Sequence, residues 1–246
     1  MTLKIDLHTH TGRYSSCSRL SPRELCETAL AYGLDAVAIT EHHHQWSPEE
    51  IAELQARYPA LKLYTGVEIT CTDGHDYVVL GLAAGAYHPN PMSYARFQAL
   101  MEDRRRAGAL VFAFLAHGFR YSDDERGLET AAIEGIEMAS PNILARPQPA
   151  GGPVTIARAE LYRRWQQRKG WIPLYNSDAH STAMMGKFYN LVEAPMEAPA
   201  GLPADERALI QLLRTAQIRP FVDEARILRG ARKSIRARIG ALFGDT

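Results

Sequence analysis

Ile5-Asp6-Leu7-His8-Thr9-His10 is the stretch on which the reading of this chain turns. Leu3, Ile5 and Leu7 alternate with Lys4 and Asp6, which is the period of a β-strand. Residues two apart on a strand point to the same side. His8 and His10 are therefore expected side by side at the end of a short apolar strand, where two neutral imidazoles make half of a metal site. Alone, a His-x-His is as readily a pair of surface histidines, so its weight depends on whether the pattern repeats.

It does repeat. Ala36-Val37-Ala38-Ile39-Thr40 is a continuous apolar run of the kind that forms a buried parallel strand, and it stops at Glu41-His42-His43-His44. The run 61–69 carries Glu68 near its end. The run 110–115 stops at Ala116-His117-Gly118, and Trp171-Ile172-Pro173-Leu174-Tyr175 stops at Asn176-Ser177-Asp178-Ala179-His180. Further strands are expected over 77–80, after the Asp73-Gly74 turn signal, over 133–138 and, as the last strand, over 188–192.

Helices are expected between these runs. Ser21-Pro22-Arg23-Glu24 and Ser47-Pro48-Glu49-Glu50 each place Ser at the cap, Pro in the first turn and Glu at the third position. Helical patterns also follow Pro91 as far as Gly108 and cover 154–169, 203–216 and 223–242, with a Pro- and Gly-rich loop at 145–153. Strands alternating with helices imply a mostly parallel sheet whose sites lie at the carboxyl ends of its strands. We expect one α/β domain over 1–246, a TIM-like barrel where the sheet closes, with C-terminal helices 203–242 packing on it.

The 246 residues carry a formal net charge of +0 and three cysteines. That balance argues against a nucleic-acid coat or a membrane-surface protein. Sparse, odd cysteines suit a reducing compartment. The chain opens directly on a strand, and no apolar run approaches the ~20 residues of a membrane span. A cytoplasmic protein without membrane contact is the expectation.

His, Asp and Glu at five strand ends form a hard to borderline ligand set suited to Mn, Zn or Fe. The candidates are too many for one tetrahedral ion, so two or three divalent ions are expected, with the Glu68 carboxylate as a bridge. Such a centre lowers the pKa of water and stabilises a leaving oxygen, which is hydrolytic chemistry.

These stretches resemble the PHP (polymerase and histidinol phosphatase) phosphoesterases. The resemblance is carried in order by Asp6-Leu7-His8-Thr9-His10, Ala38-Ile39-Thr40-Glu41-His42, Gly66-Val67-Glu68, Leu115-Ala116-His117-Gly118-Phe119-Arg120 and Ser177-Asp178-Ala179-His180. It implies a distorted barrel of about seven strand–helix units, a (β/α)7 arrangement, with a cluster of metals. It also implies His8, His10, Glu68 and Asp178 around one ion, Glu68 and His117 at a second, and His42 and His180 at a third.

Two departures from the family pattern matter. Thr40-Glu41-His42 stands where the family usually has Thr-Asp-His. The loop Thr11-Gly12-Arg13-Tyr14-Ser15-Ser16-Cys17-Ser18 lacks the family's Asp or His. Ser16 lines up with that acidic position, Cys17 reads as a bystander thiol, and Glu41 is the competing donor to a weak third ion. His75 is a further candidate ligand, set against a solvated turn residue.

The reaction these readings imply is hydrolysis of a phosphate ester by a metal-bound hydroxide. Asp178 is the candidate proton acceptor, and Arg120 and Arg13 are candidate phosphate ligands, each set against a surface ion pair. The expected partner is a small phosphorylated molecule, a nucleotide or a short nucleic acid. The alternatives are an amidohydrolase-type barrel and a non-catalytic metal-binding PHP module. Glu137 reads equally as a structural carboxylate or as support for a ligand. His43, His44, His88 and Lys187 are expected in solvent. Arg104-Arg105-Arg106 is expected to complement a helix dipole, and the arginines of 223–242 to lie on an ordinary amphipathic helix.

Overall fold

The structure is a computed structural model that describes residues 1–83, 85–119, 125–141, 143, 156–194 and 201–228. The strands are β1 (Thr2–Thr9), β2 (Ala36–His42), β3 (Lys62–Thr70), β4 (Asp76–Leu80), β5 (Phe112–Ala116), β6 (Gly135–Ala139), β7 (Ile172–Tyr175), β8 (Phe188–Glu193) and β9 (Gln217–Val222). The helices are α1 (Pro22–Ala31), α2 (Pro48–Arg57), α3 (Tyr94–Arg106), α4 (Ile156–Lys169), α5 (Glu206–Thr215) and α6 (Glu224–Leu228). The loop expected at 145–153, Arg120, and the part of the last helix beyond Leu228 lie outside the described residues.

One sheet runs β7-β6-β5-β4-β3-β2-β1-β8-β9. The pairs β1–β2, β2–β3, β5–β6 and β6–β7 are parallel, whereas β4 is antiparallel to both its neighbours. The expected α/β barrel is therefore present as a mixed sheet. A tight turn at Asp73-Gly74 returns the chain beside β3 instead of crossing over. β8 is not the last strand. β9 pairs antiparallel with β8 and ends the sheet. Pro220 is tolerated there because an edge strand needs no donor on its open side.

The sheet nearly closes, and amide side chains bridge the seam. Tyr175 N donates to Asn190 Oδ1 (2.9 Å), and Asn190 Nδ2 donates to Ile5 O (3.0 Å) and Asn176 Oδ1 (2.9 Å). Leu7 N donates to Asn176 Oδ1 (3.1 Å), and His10 N to Ala179 O (3.0 Å). Two buried asparagines thus satisfy β1 and β7 backbone groups that lack strand partners.

Both Ser-Pro-x-Glu openings form the expected capping boxes, at Ser21 and Ser47. The last turn of α3 carries Arg104, Arg105 and Arg106 as the dipole reading expects. Leu3, Ile5, Tyr64, Val78, Leu80, Phe112, Phe114 and Leu174 fill the barrel, with Leu209, Ile210 and Leu213 of α5 packed against them. Each such side chain is worth about 1.5–3 kcal/mol of burial. No helix among the described residues is long and apolar enough to cross a membrane.

Candidate metal centre

A regular strand cannot place Ile5, Leu7, His8 and His10 all inside the barrel, because its side chains alternate. β1 is not regular. Asp6 pairs with Val37 and Thr9 with Ile39, so three steps on β1 oppose two on β2. The extra residue is a β-bulge, the device that re-aims a side chain. Ile5 and Leu7 join the interior cluster below, while His8 and His10 turn into the mouth above it.

The neighbouring strands deliver the rest. Glu68 lies near the end of β3, and Gly66 lets β3 approach β4, since a Cβ there would stand 2.8 Å from Val79 O. His117 follows β5 with φ 26° and Asp178 follows β7 with φ 46°. Left-handed backbone costs a non-glycine residue about 1–3 kcal/mol and concentrates at functional sites. Here it bends two strand exits inward.

Ligand-type atoms converge in three overlapping groups, His8–Glu68–His117, His8–His10–Asp178 and His10–His42–His180, each within 4.8 Å. Glu68 divides its oxygens. Oε1 faces His117 Nε2 (2.9 Å) and His8 Nε2 (3.5 Å), and Oε2 faces His42 Nδ1 (2.8 Å) and His10 Nε2 (3.3 Å). Asp178 Oδ1 lies 3.3 Å from His10 Nε2 and 3.6 Å from His8 Nε2. His8 Nε2 and His10 Nε2 are 3.0 Å apart. At most one of two such nitrogens carries the hydrogen between them, so nitrogen lone pairs and carboxylate charge meet where a cation fits.

The electrostatics agree. Burial opposes ionisation of Glu68, but His42 and His8 hold it well below the usual carboxylate range. Burial likewise opposes Asp178, which His8, His10 and His117 keep low. Burial alone would lower His42; the Glu68 carboxylate overrides it and pushes the imidazole up to about 11. Carboxylates that hold protons this firmly on imidazoles favour divalent cations for the same reason.

A second tier of hydrogen bonds aims these groups. Glu137 is fully buried; its Oε1 faces His8 Nδ1 (3.2 Å) and accepts from Asn176 Nδ2 (3.0 Å), while Oε2 accepts from His117 N (2.8 Å). A hydrogen on His8 Nδ1 leaves Nε2 for the mouth. Asp76 Oδ2 stands 3.6 Å from His117 Nδ1, beyond hydrogen-bond reach but close enough to act on it electrostatically. The sequence offered no periodic signal for Asp76, and for Glu137 only its place on an apolar run.

Several expectations fail for identifiable reasons. Glu41 does not turn toward the cluster. Its oxygens accept from Thr11 N (3.1 and 3.2 Å), Thr11 Oγ1, Ser15 Oγ (2.5 Å) and Trp46 Nε1 (3.0 Å), and so pin the first loop. His75 precedes β4 and packs edge-on against Phe119, leaving Asp76 to face His117. Arg13 is exposed and pairs with Glu50 (2.6 Å), above the Tyr14 and Trp46 rings. His43 and His88 are buried, not solvated: His88 N donates to His43 O (2.7 Å), and Thr70 N donates to His43 Nε2 (3.2 Å). Ser16 and Cys17 are both exposed, and the Cys17 sulfur joins none of the three groups, although His180 and His42 lower its thiol to about 6.

Residues 6–150 match the PHP domain family, and the chain belongs to it. Its clustered His, Glu and Asp side chains are of the kind that holds a divalent metal ion. It is 33% identical over 106 residues to a 5'-3' exoribonuclease of Haemophilus influenzae, a match covering 43% of this chain and 38% of that one. The fold is similar to that of PsfC from Pseudomonas syringae (TM-score 0.59, 17% identity, 96% of this chain and 99% of that one). It is also similar to endonuclease Q in complex with a duplex bearing an abasic lesion (0.55, 13% identity, 87% and 57%). A third likeness is to a protein described as a metal-dependent phosphoesterase from Bifidobacterium adolescentis (0.54, 16% identity, 85% and 95%).

Proposed function

We propose that this chain hydrolyses phosphate esters of nucleotides or short oligonucleotides, at a centre of two or three divalent ions held by His8, His10, His42, Glu68, His117, Asp178 and His180. The division of the two Glu68 oxygens between two pairs of imidazoles carries this reading, because it is how a carboxylate bridges neighbouring cations. Divalent ions there would supply a nucleophile from water near neutral pH and neutralise the phosphoryl oxygens. The donor set of imidazole and carboxylate suits Mn, Zn or Fe.

The chain's own residues do the rest. Glu137 holds the His8 ring so that Nε2 faces the mouth. Asp178, kept ionised by its imidazole neighbours, would offer its carboxylate to these ions. The Arg13 guanidinium must leave Glu50 before it can meet a phosphate, so it is not assigned to substrate. The neutral overall charge favours short substrates over long polyanions. The likeness to a 5'-3' exoribonuclease supports the nucleotide class.

The test is a substrate panel of an aryl phosphate, nucleoside monophosphates, a phosphodiester and short RNA, offered to protein loaded with Mn or Zn. Turnover of a nucleotide or short RNA, abolished by chelation, is expected. Turnover of amide substrates alone, or turnover that survives chelation, overturns the proposal.

A further inference from the structure

We infer that Tyr14, His44 and Tyr87 form an aromatic shelf at the rim of the metal centre, on which an unpaired nucleobase of the substrate stacks. This rests on the reading of the chain as a hydrolase of nucleotides or short oligonucleotides and deepens it: it names the part of the substrate recognised besides the phosphate, and the side chains that meet it.

Beyond β2 the chain enters a short two-stranded ribbon. His88 N donates to His43 O (2.7 Å), Gln45 N to Ala86 O (3.0 Å) and Gly85 N to Trp46 O (3.2 Å). Between the first two of these bonds His44 and Tyr87 stand opposite each other in an antiparallel bridge. Facing residues bonded only through their neighbours bring their side chains closest, on one face of the ribbon. The Tyr14 ring lies against that of His44, with centroids 3.8 Å apart. The Tyr14 hydroxyl donates to Glu50 Oε1, and Glu50 Oε2 caps α2 by accepting from Ser47 N (2.9 Å). Next to Tyr14, Ser15 Oγ accepts from His42 N (3.1 Å) and lies 3.4 Å from His10 Nδ1. The shelf is thereby tied to two of the proposed metal ligands, and His44 follows His42 by two residues.

Exposure sets these rings apart from the core. Tyr87 is 71% and Tyr14 38% exposed, which makes them two of the five large apolar side chains exposed among the described residues, both beside one site. Aromatic rings presented to solvent next to a phosphate-binding centre are the platform on which single-stranded nucleic acid stacks. A base inside a duplex offers a protein its edges, because its faces are taken by its neighbours. An unpaired base offers its face. Charge is not the recognising element here, since the Arg13 guanidinium over the Tyr14 ring is already paired with Glu50 (2.6 Å). Every base has a π-face, so stacking tolerates any base. The shelf therefore separates a nucleotide from a phosphate ester that lacks a base, without choosing among the bases.

The experiment measures kcat/KM of the Mn-loaded full chain for two pairs of substrates that differ only in the base. One pair is a nucleoside monophosphate and ribose phosphate; the other is a short single-stranded RNA and the same RNA with abasic ends. The wild type should prefer the member that carries the base. Tyr87→Ala should shrink that preference by about 5- to 150-fold, the worth of one stacked base, and mainly through KM. Tyr14→Ala should act in the same direction, whereas Tyr87→Trp and Tyr14→Phe, which keep a ring, should retain the preference. Both members of a pair are measured on the same protein, so a loss of folded material cancels from the ratio. A preference that is equal in the wild type, Tyr87→Ala and Tyr14→Ala overturns the shelf while the metal centre stands. A wild type that turns over neither nucleotide nor RNA overturns the reading on which the shelf rests.

Discussion

Glu41 and Glu68 are both fully buried, on adjacent strands paired in parallel, yet they live in opposite surroundings. Glu41 is saturated by protein donors from Thr11, Ser15 and Trp46. Glu68 is met by four imidazole nitrogens on its two oxygens. A buried carboxylate is costly unless its charge is answered. The first is answered by hydrogen bonds that fix a loop, and the second by groups able to share a cation. Sequence position does not separate them; the identity of the surrounding donors does.

The largest expected effect lies at Glu68. Glu68→Gln keeps the shape and removes the charge, so hydrolysis should fall to background. The rise in Tm that Mn or Zn gives the wild type by mass action should vanish as well. A Glu68→Gln protein that still gains Tm with metal would place the ions elsewhere.

Glu41→Gln should do the reverse. It leaves donors of Thr11, Ser15 and Trp46 poorly matched, each at about 1–3 kcal/mol, so denaturant unfolding should show a loss of about 3 kcal/mol or more. The metal-induced rise in Tm should persist. If both variants behave alike, the contrast between the two carboxylates is wrong.

Glu137→Ala should weaken metal binding about 10–100-fold, the usual cost of losing the partner that orients a histidine. Isothermal titration measures it, and Glu137→Asp should recover part of the loss. Equal affinity in all three proteins would reduce Glu137 to a packing residue.

The smallest effect concerns pH. Burial, aided by the neighbouring His42, lowers His43 to about 4. The unfolded chain takes up that proton near 6.5. Below 6.5 the unfolded state therefore binds more protons at this group, and its contribution to stability is lost as pH falls through about 4. Denaturation of chelated protein at stepped pH should show the slope, and His43→Gln should flatten it. An unchanged slope would assign the acid sensitivity to other groups.

Much of this was legible in the sequence because the signals are local. Ser-Pro-x-Glu sets two helix starts, and apolar runs ending in His, Glu or Asp mark the strand exits that converge. Other features depend on partners distant in the chain. The bulge that lets Leu7 and His8 share the interior is visible only in the register between β1 and β2. β9 was hidden by Arg219-Pro220, which reads as a break until β8 lies beside it. The course of the first loop depends on a turn closed by Ser15 and Ser18, and irregular loops have no periodicity from which to read it. His75 is buried one residue before β4 and packs on Phe119, a contact between residues too far apart in the chain for a local pattern to announce.

The bridging role proposed for Glu68 is what would make this chain a phosphoesterase. Its most direct test is stepwise addition of Mn(II) to chelated protein, with binding and hydrolysis of an aryl phosphate or a nucleotide followed together. Hydrolysis should appear only as the second equivalent binds, and both signals should be absent from Glu68→Gln. Full hydrolysis at one equivalent, or hydrolysis by the chelated protein, would contradict it.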